Sequence, residues 1–125
     1  QRLFNEAKKV RENAYVPYSQ FKVGASFLTE DNSIVVGCNV ENAAYPQGWC
    51  AEASALAAMV MAGEIQLTEV AVMAEGDRVC TPCGGCRQKL KEFAAPDTLV
   101  LLYSPEGLQE SFTLEELLPH SFGSK

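Results

Sequence analysis

Cys83-Gly84-Gly85-Cys86 sets two thiols three positions apart, and Cys50 supplies a third far upstream. Glu52 follows two residues after Cys50. A C-x-x-C taken alone fits a redox dithiol, half of a structural zinc site, or a chance pairing. The number of ligands separates these, because structural zinc takes four protein ligands whereas catalytic zinc takes three and keeps one position for water. His120, the only histidine, lies in the tail beside Pro119. Cys38 falls within a strand-like stretch, and Cys80-Thr81-Pro82-Cys83 is a second, overlapping C-x-x-C. Three thiols beside a carboxylate suit hydrolysis, since zinc lowers the pKa of its water toward ~7 and a carboxylate that is not a ligand can then move the proton. Glu52 also fits a plainer role, as a first-turn carboxylate interacting with a helix dipole.

Two helix starts must converge for these residues to meet. The composition predicts a helix over 50–62, ending at Gly63, and Pro82 suits the first turn of another over 84–93. The thiols then lie near helix N-termini, where the dipole and free amides favour thiolate. That placement favours Cys83 and Cys86 over Cys80. The 50–62 helix is apolar almost all round and needs cover on every side, part of it from a neighbouring subunit. Leu3, Phe4, Ala7, Val10 and Ala14 give an amphipathic helix over 1–14. Strands are expected over 21–28 and 34–40, joined by the turn Glu30-Asp31-Asn32-Ser33, and again over 70–74, 99–103 and 109–113. A short helix over 114–118 completes the set. This order fits an α/β architecture, a sheet of mixed strand direction packed between helices.

The 125 residues show no repeat or linker and read as a single domain, 1–125. No apolar run approaches the ~20 residues that span a bilayer. The charged opening resembles no signal peptide, so a cytoplasmic protein is expected. An odd count of five cysteines argues against a disulfide framework. Ten Lys and Arg against sixteen Asp and Glu give a net charge of −6. Polynucleotide binding draws its affinity from basic groups, so a small uncharged ligand is the better match.

Cys50-Ala51-Glu52 and Pro82-Cys83-Gly84-Gly85-Cys86 match the three-cysteine version of the zinc deaminase signature. Tyr18-Ser19-Gln20-Phe21-Lys22-Val23-Gly24-Ala25, Asn39-Val40-Glu41-Asn42-Ala43-Ala44-Tyr45, Cys86-Arg87-Gln88 and Glu116-Leu117-Leu118-Pro119 carry the likeness over nearly the whole chain. The chain resembles the small homotetrameric cytidine deaminases. That resemblance implies a three-layer α/β/α fold with a five-stranded mixed sheet, and one zinc per subunit on Cys50, Cys83 and Cys86. It implies hydrolysis of cytidine and deoxycytidine to uridine and deoxyuridine plus ammonia in pyrimidine salvage, with Glu52 carrying protons from water to N3 and the departing amine. It further implies that Phe21 stacks on the pyrimidine and that Asn39 and Glu41 hold the sugar 3′-hydroxyl. By the same resemblance Ala51 and Glu52 read the base through backbone and carboxylate, Phe122 is the tail aromatic that reaches into a neighbouring subunit's site, and Tyr45 stands at that shared rim. A flat apolar surface with a few polar anchors suits a neutral nucleoside.

One position departs from the family pattern. Many members have Arg directly after the catalytic Glu, where this chain has Ala53. Three thiolates leave the zinc centre with a net charge near −1, a weaker Lewis acid. Arg87, beside Cys86, is the candidate for compensation, with Trp49 and Ser54 the nearest other changes. The alternatives are a deaminase of another small cytosine nucleoside such as blasticidin S, whose enzyme also lacks that Arg, and a non-catalytic zinc or dithiol module using Cys80. A polynucleotide deaminase fits poorly, with no basic, aromatic-lined path for a strand.

Overall fold

Leu3 and Ala7 turn to one side of the opening stretch, and that side is buried in a helix over Arg2–Arg11 (α1) of the computed structural model, which describes residues 2–75 and 82–120. β1 (Val23–Thr29) and β2 (Ile34–Cys38) form an antiparallel hairpin whose turn holds Asn32 at a left-handed φ of 71°. α2 (Ala51–Met61), β3 (Leu67–Ala74), α3 (Gly84–Phe93), β4 (Ala94–Ser104), β5 (Gly107–Thr113) and α4 (Leu114–Leu117) follow. The strands make one sheet in the order β2-β1-β3-β4-β5. Only β3 and β4 run parallel, and the crossover such a pair requires contains α3.

Alternation along the strands sorts the side chains by face. Ala25, Phe27, Val70, Val72, Val100 and Leu102 share one core with residues of α2, α3 and α4. The other face belongs to α1. There Ser26 Oγ donates to the Leu3 carbonyl at 2.7 Å, and Phe4 meets Tyr103 edge-on with ring centroids 5.1 Å apart. The result is the expected three-layer α/β/α arrangement around a mixed five-stranded sheet.

Two glycines set how closely the layers approach. A Cβ on Gly37 of β2 would stand 2.3 Å from the Ala55 nitrogen and 2.6 Å from the Ala51 oxygen, so α2 rests directly on the strand backbone. On the opposite face a Cβ on Gly24 would stand 2.3 Å from the Ala7 oxygen of α1. Some expected bounds shift. α1 stops at Arg11, because the chain turns through 12–14 to let Tyr15 bridge to Val40. β3 starts at Leu67 and β4 at Ala94, since these two residues pair beyond a register shift. The chain enters β1 and leaves β2 and β3 at one end of the sheet, because β1 is antiparallel to both neighbours. Among the described residues, no helix is long and apolar enough to cross a membrane.

Candidate metal centre

At that end of the sheet the two helix starts meet. Cys50 caps α2 and Cys83 caps α3, both with extended backbone, and neither side chain makes a capping hydrogen bond. Cys86 sits buried in the first turn of α3. The three sulfurs lie within 4.8 Å of one another, with Cys50 and Cys83 3.9 Å apart. A tetrahedral zinc with Zn–S bonds of about 2.3 Å holds its sulfurs about 3.8 Å apart, so the spacing and the soft donors both fit zinc. Among the described residues this is the one group of three such ligands, and no cysteine there forms a disulfide. Cys80 and Phe122 lie outside the described residues.

Pro82 is placed differently from expectation. It precedes the cap and does not open the helix, because Cys83, with ψ 166°, takes the capping position. Pro82 is buried, and its carbonyl accepts from Arg87 Nε at 2.7 Å. Arg87 Nη1 donates to the Leu117 carbonyl at 2.9 Å. Arg87 thus ties the approach to Cys83 to the end of α4 and orients the ligand turn through its backbone. The two helix N-termini supply partial positive charge at the thiols themselves.

Negative charge is crowded here. Burial raises the Cys50 thiol above its ordinary value, and burial followed by the Glu52 carboxylate raises Cys86 further. Burial pushes Cys83 up as well, but the amide and thiol of Cys86 outweigh it and its value falls. Glu52 is 5% exposed in the first turn of α2, and burial raises its carboxyl. A divalent cation relieves this repulsion, and its uptake releases protons from the thiols.

Residues 39–41 form the hub next to this cluster. The Tyr15 amide donates to the Asn39 carbonyl at 3.0 Å and the Glu41 amide to the Tyr15 carbonyl at 2.9 Å. Val40 and Trp49 exchange both backbone bonds, at 2.9 and 2.8 Å, which leads the chain straight into Cys50. Asn39 Oδ1 accepts from the Val23 amide and Nδ2 donates to the Phe21 carbonyl, both at 2.9 Å. Glu41 Oε1 accepts from the amides of Tyr18 and Ser19, both at 3.0 Å. The Ser19 hydroxyl and then the Ser19 and Tyr18 amides hold the Glu41 carboxyl below its ordinary range.

Beside Glu41 opens a cavity of about 380 Å³ lined by Tyr18, Ser19, Glu41, Asn42, Tyr45 and Gly48, within the usual range for small-molecule pockets. The thiols lie outside its lining. Tyr45 is 75% exposed and meets Tyr18 edge-on, with centroids 6.0 Å apart. Phe21 presents an exposed ring, and Ala51 is buried behind Cys50. The sequence reading missed Tyr18 and Ser19 as anchors for Glu41 and missed Gly37 as the rest for α2. A glycine inside a strand is the signal that marks a close backbone approach.

The model for the cytidine and deoxycytidylate deaminase zinc-binding region matches residues 1–102. A cytidine deaminase of Halalkalibacterium halodurans is 43% identical over 122 residues, covering 98% of this chain and 92% of the relative. One of Sporosarcina psychrophila is 42% identical over 125 residues, covering 100% and 92%. A crystal structure of cytidine deaminase from Burkholderia pseudomallei superposes with a TM-score of 0.91 at 41% identity and covers 97% of each chain.

Proposed function

The chain belongs to the cytidine and deoxycytidylate deaminase family, and from that membership we propose how its residues deaminate a cytosine nucleoside. It is a zinc-dependent hydrolase that converts cytidine to uridine and ammonia, a step of pyrimidine salvage. The observation that carries the reading is the triad of free thiols at two helix starts, with buried Glu52 two residues after Cys50 in the first turn of α2. Deoxycytidine is a second substrate in this proposal.

Cys50, Cys83 and Cys86 hold the ion. Bound zinc supplies Lewis-acid activation of water at neutral pH. Glu52 takes one proton from the attacking water and hands it to N3 as the hydroxyl bonds to C4. The remaining hydroxyl proton then travels through Glu52 to the exocyclic nitrogen, the C4–N bond breaks, and ammonia leaves. Burial suits Glu52 to both tasks, since a raised pKa brings a carboxyl nearer the operating pH. Phe21 lies against the pyrimidine. Glu41 and Asn39 anchor the 3′-hydroxyl, and the Ala51 backbone with Glu52 reads the base.

The active form in this proposal is a homotetramer with sites shared between subunits. Leu56, Ala57, Val60 and Phe93 line an open apolar groove of about 610 Å³ between α2 and α3, and Met61 is 88% exposed. This proposal assigns exposed Tyr45 to the shared rim, together with the tail residue Phe122, which lies outside the described residues. A reducing, cytoplasmic setting completes the reading, since three clustered thiols must stay reduced to hold zinc.

The test follows cytidine ultraviolet absorbance with purified, zinc-loaded protein, before and after chelation. Conversion to uridine that stops on chelation and returns with zinc supports the proposal. Turnover of blasticidin S without cytidine, or tightly held zinc with no turnover, would reject it. Light scattering on the eluting protein checks the tetramer separately.

A further inference from the structure

We infer that Asn39 is a positioning residue that sets the place of Phe21, beyond any contact it makes with the sugar. The inference rests on the deamination reading and on Phe21 as the ring that faces the base.

An Asn amide has two acceptor sites on oxygen and two donors on nitrogen. Asn39 commits one of each to its own chain, to Val23 and Phe21, on either side of Lys22. Its backbone amide also donates to the Val23 carbonyl at 3.2 Å. Regular pairing between β1 and β2 ends at Gly24 and Cys38. The Asn39 side chain therefore extends the ladder past its last regular pair and supplies the partners that the backbone of Phe21 and Val23 would otherwise lack. Just before Phe21 the chain is strained, because Gln20 adopts a left-handed φ of 61°. Such a conformation persists only where its surroundings fix it. On its far side Glu41 holds the amides of Tyr18 and Ser19, and the Ser19 hydroxyl accepts from the Phe21 amide at 3.0 Å. Without Asn39 the Phe21 carbonyl and the Val23 amide lose their partners, and on that side the segment keeps the Arg11 bond to the Lys22 carbonyl at 3.1 Å and the pairing of Val23 with Ala74, neither of which holds Phe21 itself.

The test is a double-mutant cycle with an independent structural readout. In zinc-loaded protein, Asn39→Ala is expected to lower kcat/KM for cytidine by ~100-fold, the scale of an ångström-sized misplacement. In a Phe21→Ala background, with 3′-deoxycytidine as substrate so that no sugar anchor is lost, the same change should cost less than about threefold, because the two residues act as one unit. The loss should persist with 3′-deoxycytidine, which offers no hydroxyl to anchor. Additive losses, or a loss that disappears with 3′-deoxycytidine, would overturn the inference in favour of a sugar contact alone. Phe21→Ala at full activity would overturn it together with the role of Phe21. Amide hydrogen exchange decides the clamp even if wild-type protein turns over no cytidine. Val23 should exchange faster in Asn39→Ala at unchanged zinc content, and Asn39→Asp, which retains the acceptor, should restore part of its protection. Unchanged exchange at Val23 would overturn the clamp.

Discussion

Replacing Gly37 by alanine tests how finely the fold places the chemistry. The new methyl would sit 2.3 Å from the Ala55 nitrogen and 2.6 Å from the Ala51 oxygen, both backbone atoms that no rotamer change can move. Restoring ordinary contact takes a retreat of roughly 1 Å by α2, since packed interiors have no slack to absorb it. Cys50 and Glu52 travel with α2, whereas Cys83 and Cys86 stay with α3. The ligand set therefore opens and the proton carrier withdraws together. A displacement of that size costs ~100-fold in turnover, and the overpacking costs ~1–3 kcal/mol of stability, about 4 °C in Tm per kcal/mol. Gly24→Ala is the matched control. Its methyl meets the Ala7 oxygen at the same 2.3 Å, but the helix it displaces is α1, which bears none of the thiols or Glu52. Both variants should melt early, and only Gly37→Ala should lose zinc and most of its kcat per folded molecule. Steady-state kinetics, zinc stoichiometry and thermal melts on the pair measure this. Wild-type turnover and zinc retention in Gly37→Ala, or equal activity losses in both variants, would refute the reasoning.

Glu52→Gln should keep its zinc and lose ~10²–10⁴-fold in kcat, the usual share of a general acid–base group; a variant that stays fast removes Glu52 from proton transfer. Arg87→Lys cannot span the Pro82 and Leu117 carbonyls as a planar fork does. It should weaken zinc binding by ~10–100-fold in chelator competition, and unchanged affinity would show that this tie does not orient the ligands. Asp31 is held down at about 2, chiefly by the Thr29 hydroxyl and then by Ser33, so its stabilising effect is complete above the ordinary value of 3.8 and fades as the pH falls toward 2. Asp31→Asn should therefore unfold at lower urea than wild type at pH 6, with the gap closing in acid; a gap independent of pH would contradict the assignment.

The signals that proved legible were those written in local composition. Amphipathic spacing in 1–14, the alanine-rich run after Cys50 and the apolar stretches near 70 and 100 each mark an element that the structure contains. The C-x-x-C and the Cys50–Glu52 pair marked the metal centre because thiols at helix starts have so few other roles. What the sequence hid depends on partners distant in the chain. The bridge of Val40 to both Tyr15 and Trp49 has no periodic signature, nor does the choice of Arg87 for two carbonyls thirty-five residues apart. Pro82 misled by two positions, because proline is favoured at the first helical position, whereas the extended backbone of Cys83 takes the cap and leaves Pro82 ahead of it.

Every element of the candidate site lies at one end of the sheet, which leaves the other end open to editing. The connection from Met61 to Leu67 runs there, and Gly63, at φ 90°, has nothing within 4 Å of where a Cβ would stand. Doubling the length of such a loop costs only ~0.6 kcal/mol in closure entropy. A peptide tag or fluorophore spliced in at Gly63 adds its bulk at the far end of the strands from the thiols. Drift by insertion is thus cheap at this end of the molecule and expensive at the other, so length variation among relatives of this chain should collect around Gly63 and spare residues 37–52.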